Sequence, residues 1–185
     1  MEPRTPVRQS GVDTRARILE VSLTLFMADS FKGTSVRDIA ENVGVTQPTL
    51  YYHFGSKDGI LAVLVEPLID AGEVLLGELA AVSVSRKELA DRALKGYYDL
   101  IVEHLDVFQF VETDRSVRSH PDAGHRLADQ ATRFLQMLAG SDRHRARIGA
   151  AAALGAVRRP LRLAGIDPGA DRTTILRCAN AALSA

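Results

Sequence analysis

Residues 34–57 read TSVRDIAENVGVTQPTLYYHFGSK, and the reading of this stretch decides the fold. Val36, Ile39, Ala40 and Val43 recur at the three- and four-residue spacing of one helical face. Ser35 or Thr34 can cap the start of that helix, with Asp38 as capping-box partner. Gly44 breaks it. Thr46 stands at the cap of a third helix, and Pro48 falls in its first turn, where a missing N–H costs little. Gly55 ends that helix and Ser56 caps a fourth. Two helices of about two turns around a glycine turn have helix-turn-helix spacing.

The faces of the second of these helices carry the functional signal. At about 100° per residue, Leu50 and Phe54 point one way, with Val43 behind them. Pro48 and Tyr52 point the other way, flanked by Thr49 and Tyr51, with Gln47 at the N-terminal end. A helix that is merely solvated carries Lys and Glu on its outer face. This face offers amide, hydroxyl and apolar groups instead. Gln pairs with adenine edges, Pro and Thr touch thymine methyls, and Tyr hydroxyls reach phosphates. Arg37, Lys57, Arg4, Arg8, Arg15 and Arg17 supply positive charge around it.

Upstream, residues 1–12 contain Pro3, Pro6 and Gly11 and read as a mobile arm. Ile18, Val21, Ser22, Leu25 and Phe26 form one face of a first helix over Asp13 to Ala28. Downstream the chain reads as about six more helices with short connections, and no stretch reads as a strand. Pro67 and Gly72 are expected to interrupt or kink the helix from Lys57 to Val82. Leu89, Ala93, Tyr97, Leu100, Ile101, His104, Leu105 and Phe108 form one long apolar stripe. His120-Pro121 marks a break. Leu127, Ala131, Phe134, Leu135 and Leu138 form another stripe, ended by Gly140. A small-residue helix follows over Asp142 to Ala164, and Arg172 to Leu183 is the last. The expected fold is all-α: an arm (1–12), a helix-turn-helix head (13–60) and a helical domain (61–185).

The 185 residues carry 23 Lys plus Arg and 23 Asp plus Glu, so a local basic surface, not overall charge, would have to meet DNA. The single cysteine, Cys178, excludes an internal disulfide and a Cys-rich zinc site. It reads as a small buried residue ahead of a redox sensor. The chain has no phosphate-binding glycine loop, metalloprotease motif or nucleophile elbow, so no enzyme, cofactor or metal is expected. No apolar run is long enough to span a membrane, and a cytoplasmic location is expected. His120, His125 and His144 read as exposed.

From Ala16 to Leu64 the sequence resembles the DNA-binding domain of the tetracycline-repressor family. The resemblance rests on Ile18-Leu19, Leu25-Phe26, Gly33 through Ala40, Gly44-Val45, Thr49 through Phe54 and Ser56-Lys57. It implies base contacts from Arg37, Gln47, Pro48 and Thr49. It implies phosphate contacts from Thr34 or Ser35, Tyr51, Tyr52, His53 and Lys57, with Thr46 at the helix start. Packing competes with the phosphate role for His53. Two positions depart from the pattern. Ser30 stands where the family has glycine, and a left-handed Ser costs about 1–2 kcal/mol. Gly59 stands where a helix former is usual and costs about 1 kcal/mol against Ala.

The resemblance further implies a homodimer on a near-palindromic operator, built by the last two long helices. The small-residue run Gly149 to Val157 and the stripe Ile175, Ala179, Ala182, Leu183 fit that role. It implies a repressor released by a small apolar effector, the alternative being a regulator controlled by a protein partner or by its own concentration. A pocket is expected among Tyr97, Ile101, His104, Phe108, Phe110, Phe134, Leu135 and Met137. Each of these residues could equally pack as core, and His104 could be hydrogen-bonded there.

Overall fold

The computed structural model describes residues 8–184, with side chains described from Asp13 to Leu183. The first helix, α1 (Arg8–Asp29), starts five residues before the expected Asp13, because Arg8 to Val12 continue it. Arg4 lies outside the described residues, as does the rest of the arm before Arg8. Then come α2 (Val36–Val43), α3 (Gln47–Phe54), α4 (Lys57–Ala81), α5 (Arg86–Glu103), α6 (Leu105–Thr113) and a single turn, α7 (Arg115–Arg118). The chain closes with α8 (Ala123–Ala139), α9 (His144–Arg158), a 3-10 turn (Pro160–Arg162) and α10 (Pro168–Ser184). No strand occurs among the described residues. The fold is all-α.

Local chemistry accounts for most boundaries. Ser35 Oγ accepts from the Asp38 N–H, and the Asp38 carboxylate accepts from the Ser35 N–H, which closes the capping box. The Ser35 hydroxyl, which donates to the Asp38 carboxylate at 2.6 Å, and then the Ser35 N–H hold the Asp38 carboxyl below the usual carboxylate range, with Arg37 adding a smaller attraction. Gly44 ends α2 in the left-handed region. Ser56 caps α4 through the Gly59 N–H. Gly140 ends α8 as expected.

Several expectations change. α4 runs through Pro67 and Gly72 without the interruption that was one of the two outcomes expected there. The apolar stripe 89–108 is not one helix: at His104, with φ −114° and ψ 34°, the chain leaves α5 and re-enters as α6. Thr46 is the N-cap residue of α3 as expected, yet its hydroxyl makes no capping bond and pairs instead with the Thr49 hydroxyl at 2.9 Å. The small-residue helix stops at Arg158, because Pro160 cannot continue it, and α10 starts at Pro168, four residues early.

Two hydrophobic clusters organise the molecule. One lies among α4, α5, α8, α9 and α10, around Tyr98, Ile101, Phe134, Leu154 and Ala179. The other centres on Ile18, Phe26, Ile39 and Leu50 of the head, and it does not stop near residue 60. It continues along α4 through Leu61, Leu64, Val65 and Ile69, and takes in Phe110, Val111, Val117 and Ala123. The head therefore shares its core with α6, α7 and the start of α8.

Candidate nucleic-acid interface and its connection to the helical domain

Leu50 is the anchor of α3. It is 1% exposed, and Ile39, Ala40 and Val43 of α2 are buried in the same cluster. With Leu50 inward, helical geometry turns residues 48 and 52 outward with 51 on the flank, while Gln47 is open because it is the first residue of α3. Gln47 and Pro48 are exposed, Tyr51 is half-exposed and Tyr52 is 84% exposed. A large aromatic so open to water is unusual in a core helix and is what a docking face requires. The His53 ring sits edge-on to Tyr52 at 5.3 Å. Thr49 is partly covered and tied to Thr46. Ser35 and Arg37 lie exposed on α2, where Arg37 pairs with Glu41 at 2.7 Å. Arg15 stacks its guanidinium over Phe54, 5.1 Å from the ring centre.

Two of the candidate phosphate contacts are engaged internally. Thr34 is buried, and its hydroxyl hydrogen-bonds the carbonyls of Leu25 and Ser30. Of the pair Thr34 or Ser35, only Ser35 offers an accessible side chain. The Lys57 ammonium donates to the carbonyls of Phe31 and Thr34, both at 2.8 Å, and lies 4.6 Å from the Phe31 ring centre. It ties the start of α4 to the turn between α1 and α2, leaving one N–H beyond those bonds.

That turn is strained and braced. Ser30 adopts φ +71°, the left-handed conformation that its place in the pattern implied. Its Oγ accepts from the Gly33 N–H, and its carbonyl accepts from the Thr34 N–H. Gly59 is a requirement rather than a lapse. A Cβ there would lie 1.9 Å from the Phe54 carbonyl oxygen, so only glycine lets α4 start this close to the end of α3.

The connection to the helical domain escaped the sequence reading. Asp114, at the end of α6, is buried, and its carboxylate accepts from the Phe31 N–H at 2.5 Å, across 83 residues. The other carboxylate oxygen accepts from the N–H and hydroxyl of Ser116 and, more weakly, from the Val117 N–H. Burial pushes this carboxyl up, but the donors outweigh it and Asp114 titrates below the usual carboxylate range. The Ser116 hydroxyl accepts from the Lys32 N–H. Phe110 stacks on Phe26 with ring centres 5.7 Å apart. His120, expected to be exposed, packs edge-on against Phe31. Its Nδ1 accepts from the Asp122 and Ala123 N–H groups, and Nε2 lies 3.6 Å from Asp58. Asp at a helix end is a common cap, and no local signal could have paired it with residue 31.

Four of the eight expected pocket residues come together. Tyr97, Ile101, Phe108 and Phe134 line a cavity of about 70 Å³, closed by Leu68, Gln130 and the Glu112–Arg158 pair. The other four do not line it. His104 forms the α5–α6 junction, and Phe110, two residues on from Phe108 and so on the opposite side of α6, faces the head instead. Leu135 and Met137 pack partly buried against the domain core. Cys178, expected to be buried, is exposed on α10.

Residues 18–64 match the family model described as bacterial regulatory proteins, tetR family. The HTH-type transcriptional regulator EthR of Mycolicibacterium smegmatis is 39% identical over 66 residues, 36% of this chain and 30% of that protein. The HTH-type transcriptional repressor KstR2 of the same species is 33% identical over 70 residues, 38% of this chain and 33% of that protein. The chain thus spans about a third of the length of these curated relatives. Similar folds include a TetR-family regulator from Streptomyces coelicolor, with TM-score 0.72 and 17% identity over 90% of this chain and 89% of that one. A TetR-like regulator from Rhodococcus sp. RHA1 has TM-score 0.67 and 20% identity over 98% and 99%.

Proposed function

We propose that this chain, whose residues 18–64 match the family model of tetR-family bacterial regulatory proteins, is a member of that family and a homodimeric DNA-binding repressor released from its operator by a small molecule. The observation that carries this reading is the outer face of α3. Gln47, Pro48 and Tyr52 are exposed on a helix whose opposite face is anchored by buried Leu50. In this reading Arg37, Gln47, Pro48 and Thr49 contact base edges in the major groove. Ser35, Tyr51, Tyr52, His53 and the remaining Lys57 N–H contact phosphates, and Thr46 orients Thr49. Thr34 acts from beneath, holding the turn that presents them. The head spans residues 13–60 and the effector and dimerisation domain residues 61–185, with α4 common to both.

The dimer forms through α9 and α10. Ile148 is 56% exposed beside exposed Ala151 and Ala152, and on α10 Thr174, Cys178 and Ala181 face outward, whereas Ile175 and Ala179 of the expected stripe are buried in the subunit's own core. Small side chains on two neighbouring helices suit close, symmetric packing against a second copy. Two heads then meet successive major grooves about 34–36 Å apart.

Release requires a coupling free energy between pocket and head. Helix α6 suits that role, because its two faces belong to different places. Phe108, Val111 and Glu112 line the cavity, while Phe110 and Asp114 are fixed in the head. A ligand that shifts α6 moves the Phe31 anchor and, through Lys57, the start of α4. The test is selection of duplexes from a random library by the full chain. Enrichment of an inverted repeat, with half-site centres about one helical turn apart, is the expected result. Recovery of no sequence preference over unselected DNA contradicts the reading.

A further inference from the structure

The cavity is lined by both apolar and polar side chains. Ile101, Phe108 and Phe134 give it apolar walls, and its volume of about 70 Å³ is roughly half the ~150 Å³ that holds a benzene ring. That admits a body of about three or four carbons, extending toward the mouth. Its polar lining consists of Gln130 and of Tyr97, Glu112 and Arg158, the last two paired with each other and both acting on Tyr97. Tyr97 is more than nine-tenths buried and lines the cavity, and its hydroxyl, which is bonded to no group among the described residues, is not sealed from solvent. A hydroxyl so placed is free to donate to a bound ligand. Burial raises its pKa to about 12, with Arg158 lowering and Glu112 raising it by smaller amounts. It is therefore a protonated donor near neutral pH, within electrostatic reach of both charges.

The Glu112–Arg158 pair is loose, with Nη1 and Oε1 3.4 Å apart. The guanidinium has five N–H donors, and this is its one ion pair among the described residues. The polar lining is therefore rich in donors: one hydroxyl and most of a guanidinium, set against the Glu112 carboxylate and the amide of Gln130, whose Nε2 is already bonded to Ile69 and Glu73. A cationic ligand would have to sit beside Arg158. A neutral one would leave the guanidinium to Glu112. An anion satisfies both the hydroxyl and the guanidinium.

We propose that the effector is a small apolar carboxylate, its hydrocarbon body among Ile101, Phe108 and Phe134 and its carboxylate accepting from the Tyr97 hydroxyl and from Arg158 in place of Glu112. This rests on the ligand-responsive reading above and assigns the chemistry of its site. It also gives ligand entry a structural consequence. Glu112 on α6 loses its partner on α9, so the helix that carries Asp114 into the head is untied at its cavity face.

The test is calorimetric titration of the full chain, without DNA, with three probes of one shape: isovalerate, isovaleramide and isoamylammonium. Isovalerate binds and the other two bind at least tenfold more weakly. Tyr97→Phe weakens isovalerate by roughly tenfold to a hundredfold, the range for a hydrogen bond to a charged group. Glu112→Gln removes the competing carboxylate and tightens isovalerate severalfold, an outcome that general damage to the fold does not produce. Preference for the ammonium probe, equal binding of acid and amide, weakening by Glu112→Gln, or no binding of isovalerate overturns the assignment. Duplex selection is run on the same preparation. Its failure beside intact isovalerate binding would sink the DNA reading alone, and its success beside absent binding would sink the carboxylate assignment alone.

Discussion

Asp114→Asn is the substitution that isolates the contact between head and helical domain. The two side chains have nearly the same shape, so packing against Phe31 and Val117 is kept. In the native chain one carboxylate oxygen takes the Phe31 N–H and the other takes the Ser116 donors and the Val117 N–H. The amide can keep its oxygen toward Ser116, but its NH2 then faces the Phe31 N–H, donor against donor. Turning it over satisfies Phe31 and sets the NH2 against Ser116. Either way a buried N–H loses its acceptor, which costs about 1–3 kcal/mol, and the charge-assisted character of the remaining bonds is lost as well. We expect destabilisation of about 2–3 kcal/mol by urea denaturation, a fall in Tm of roughly 4–12 °C for a chain of this size. The Phe31 and Lys32 amides should exchange with solvent faster than those of α3. The pH dependence has a defined sign. Because the folded-state pKa of Asp114 is depressed, its contribution is fully present above the usual carboxylate range and is lost as pH falls through the folded value. The stability difference between wild type and Asn variant should therefore be constant near neutrality and shrink at acid pH. A loss below about 0.5 kcal/mol, or a difference independent of pH down to the acid unfolding transition, would refute the reasoning.

Gly59→Ala should destabilise, against the helix-propensity gain of about 1 kcal/mol. The new Cβ would lie 1.9 Å from the Phe54 carbonyl, and thermal unfolding should show a loss of about 1–3 kcal/mol. Ser30→Gly should stabilise by up to about 1 kcal/mol, because glycine accepts the observed φ of +71° without the Cβ penalty; no gain would mean that the Ser30–Gly33 bond offsets the strain. Ser22→Ala should be neutral or stabilising in urea denaturation, since the buried Ser22 hydroxyl lacks a partner among the described residues. Lys57→Ala should lower stability as well as weaken binding to all duplexes, because its ammonium holds Phe31 and Thr34.

The head was legible because its signals are local. Ser35 and Asp38 are three residues apart, Gly44 sits where α2 must end, and the phase of α3 follows from Leu50 and Phe54 alone. Ser30 could be placed in the left-handed region before any coordinates, since the pattern there calls for glycine. The effector side was less legible for a physical reason. Leu100, Ile101, Leu105 and Phe108 keep a helical period across His104, and neither glycine nor proline marks the break, so periodicity runs on where the chain does not. Phe110 belongs to the head because it lies two residues from Phe108, on the opposite side of α6. Thr34 and Lys57 misled differently: their polar atoms are consumed by backbone carbonyls brought close only by the fold. Asp114 and Phe31 are too far apart in sequence for any periodic signal. Gly59 looked like a weakness because propensity sees the helix it starts and not the Phe54 carbonyl above it.

The central claim is that the outer face of α3 reads base edges, and Gln47→Ala tests it most directly. Gln47 is exposed at the start of α3, so its removal leaves the fold intact. Wild type and variant are titrated against the selected duplex and against every single base-pair substitution of one half-site. The account predicts that the variant loses discrimination at one base pair per half-site, by about 1–3 kcal/mol, and keeps its preferences elsewhere. A variant that binds every duplex more weakly by the same factor, with the pattern of preferences unchanged, would contradict it.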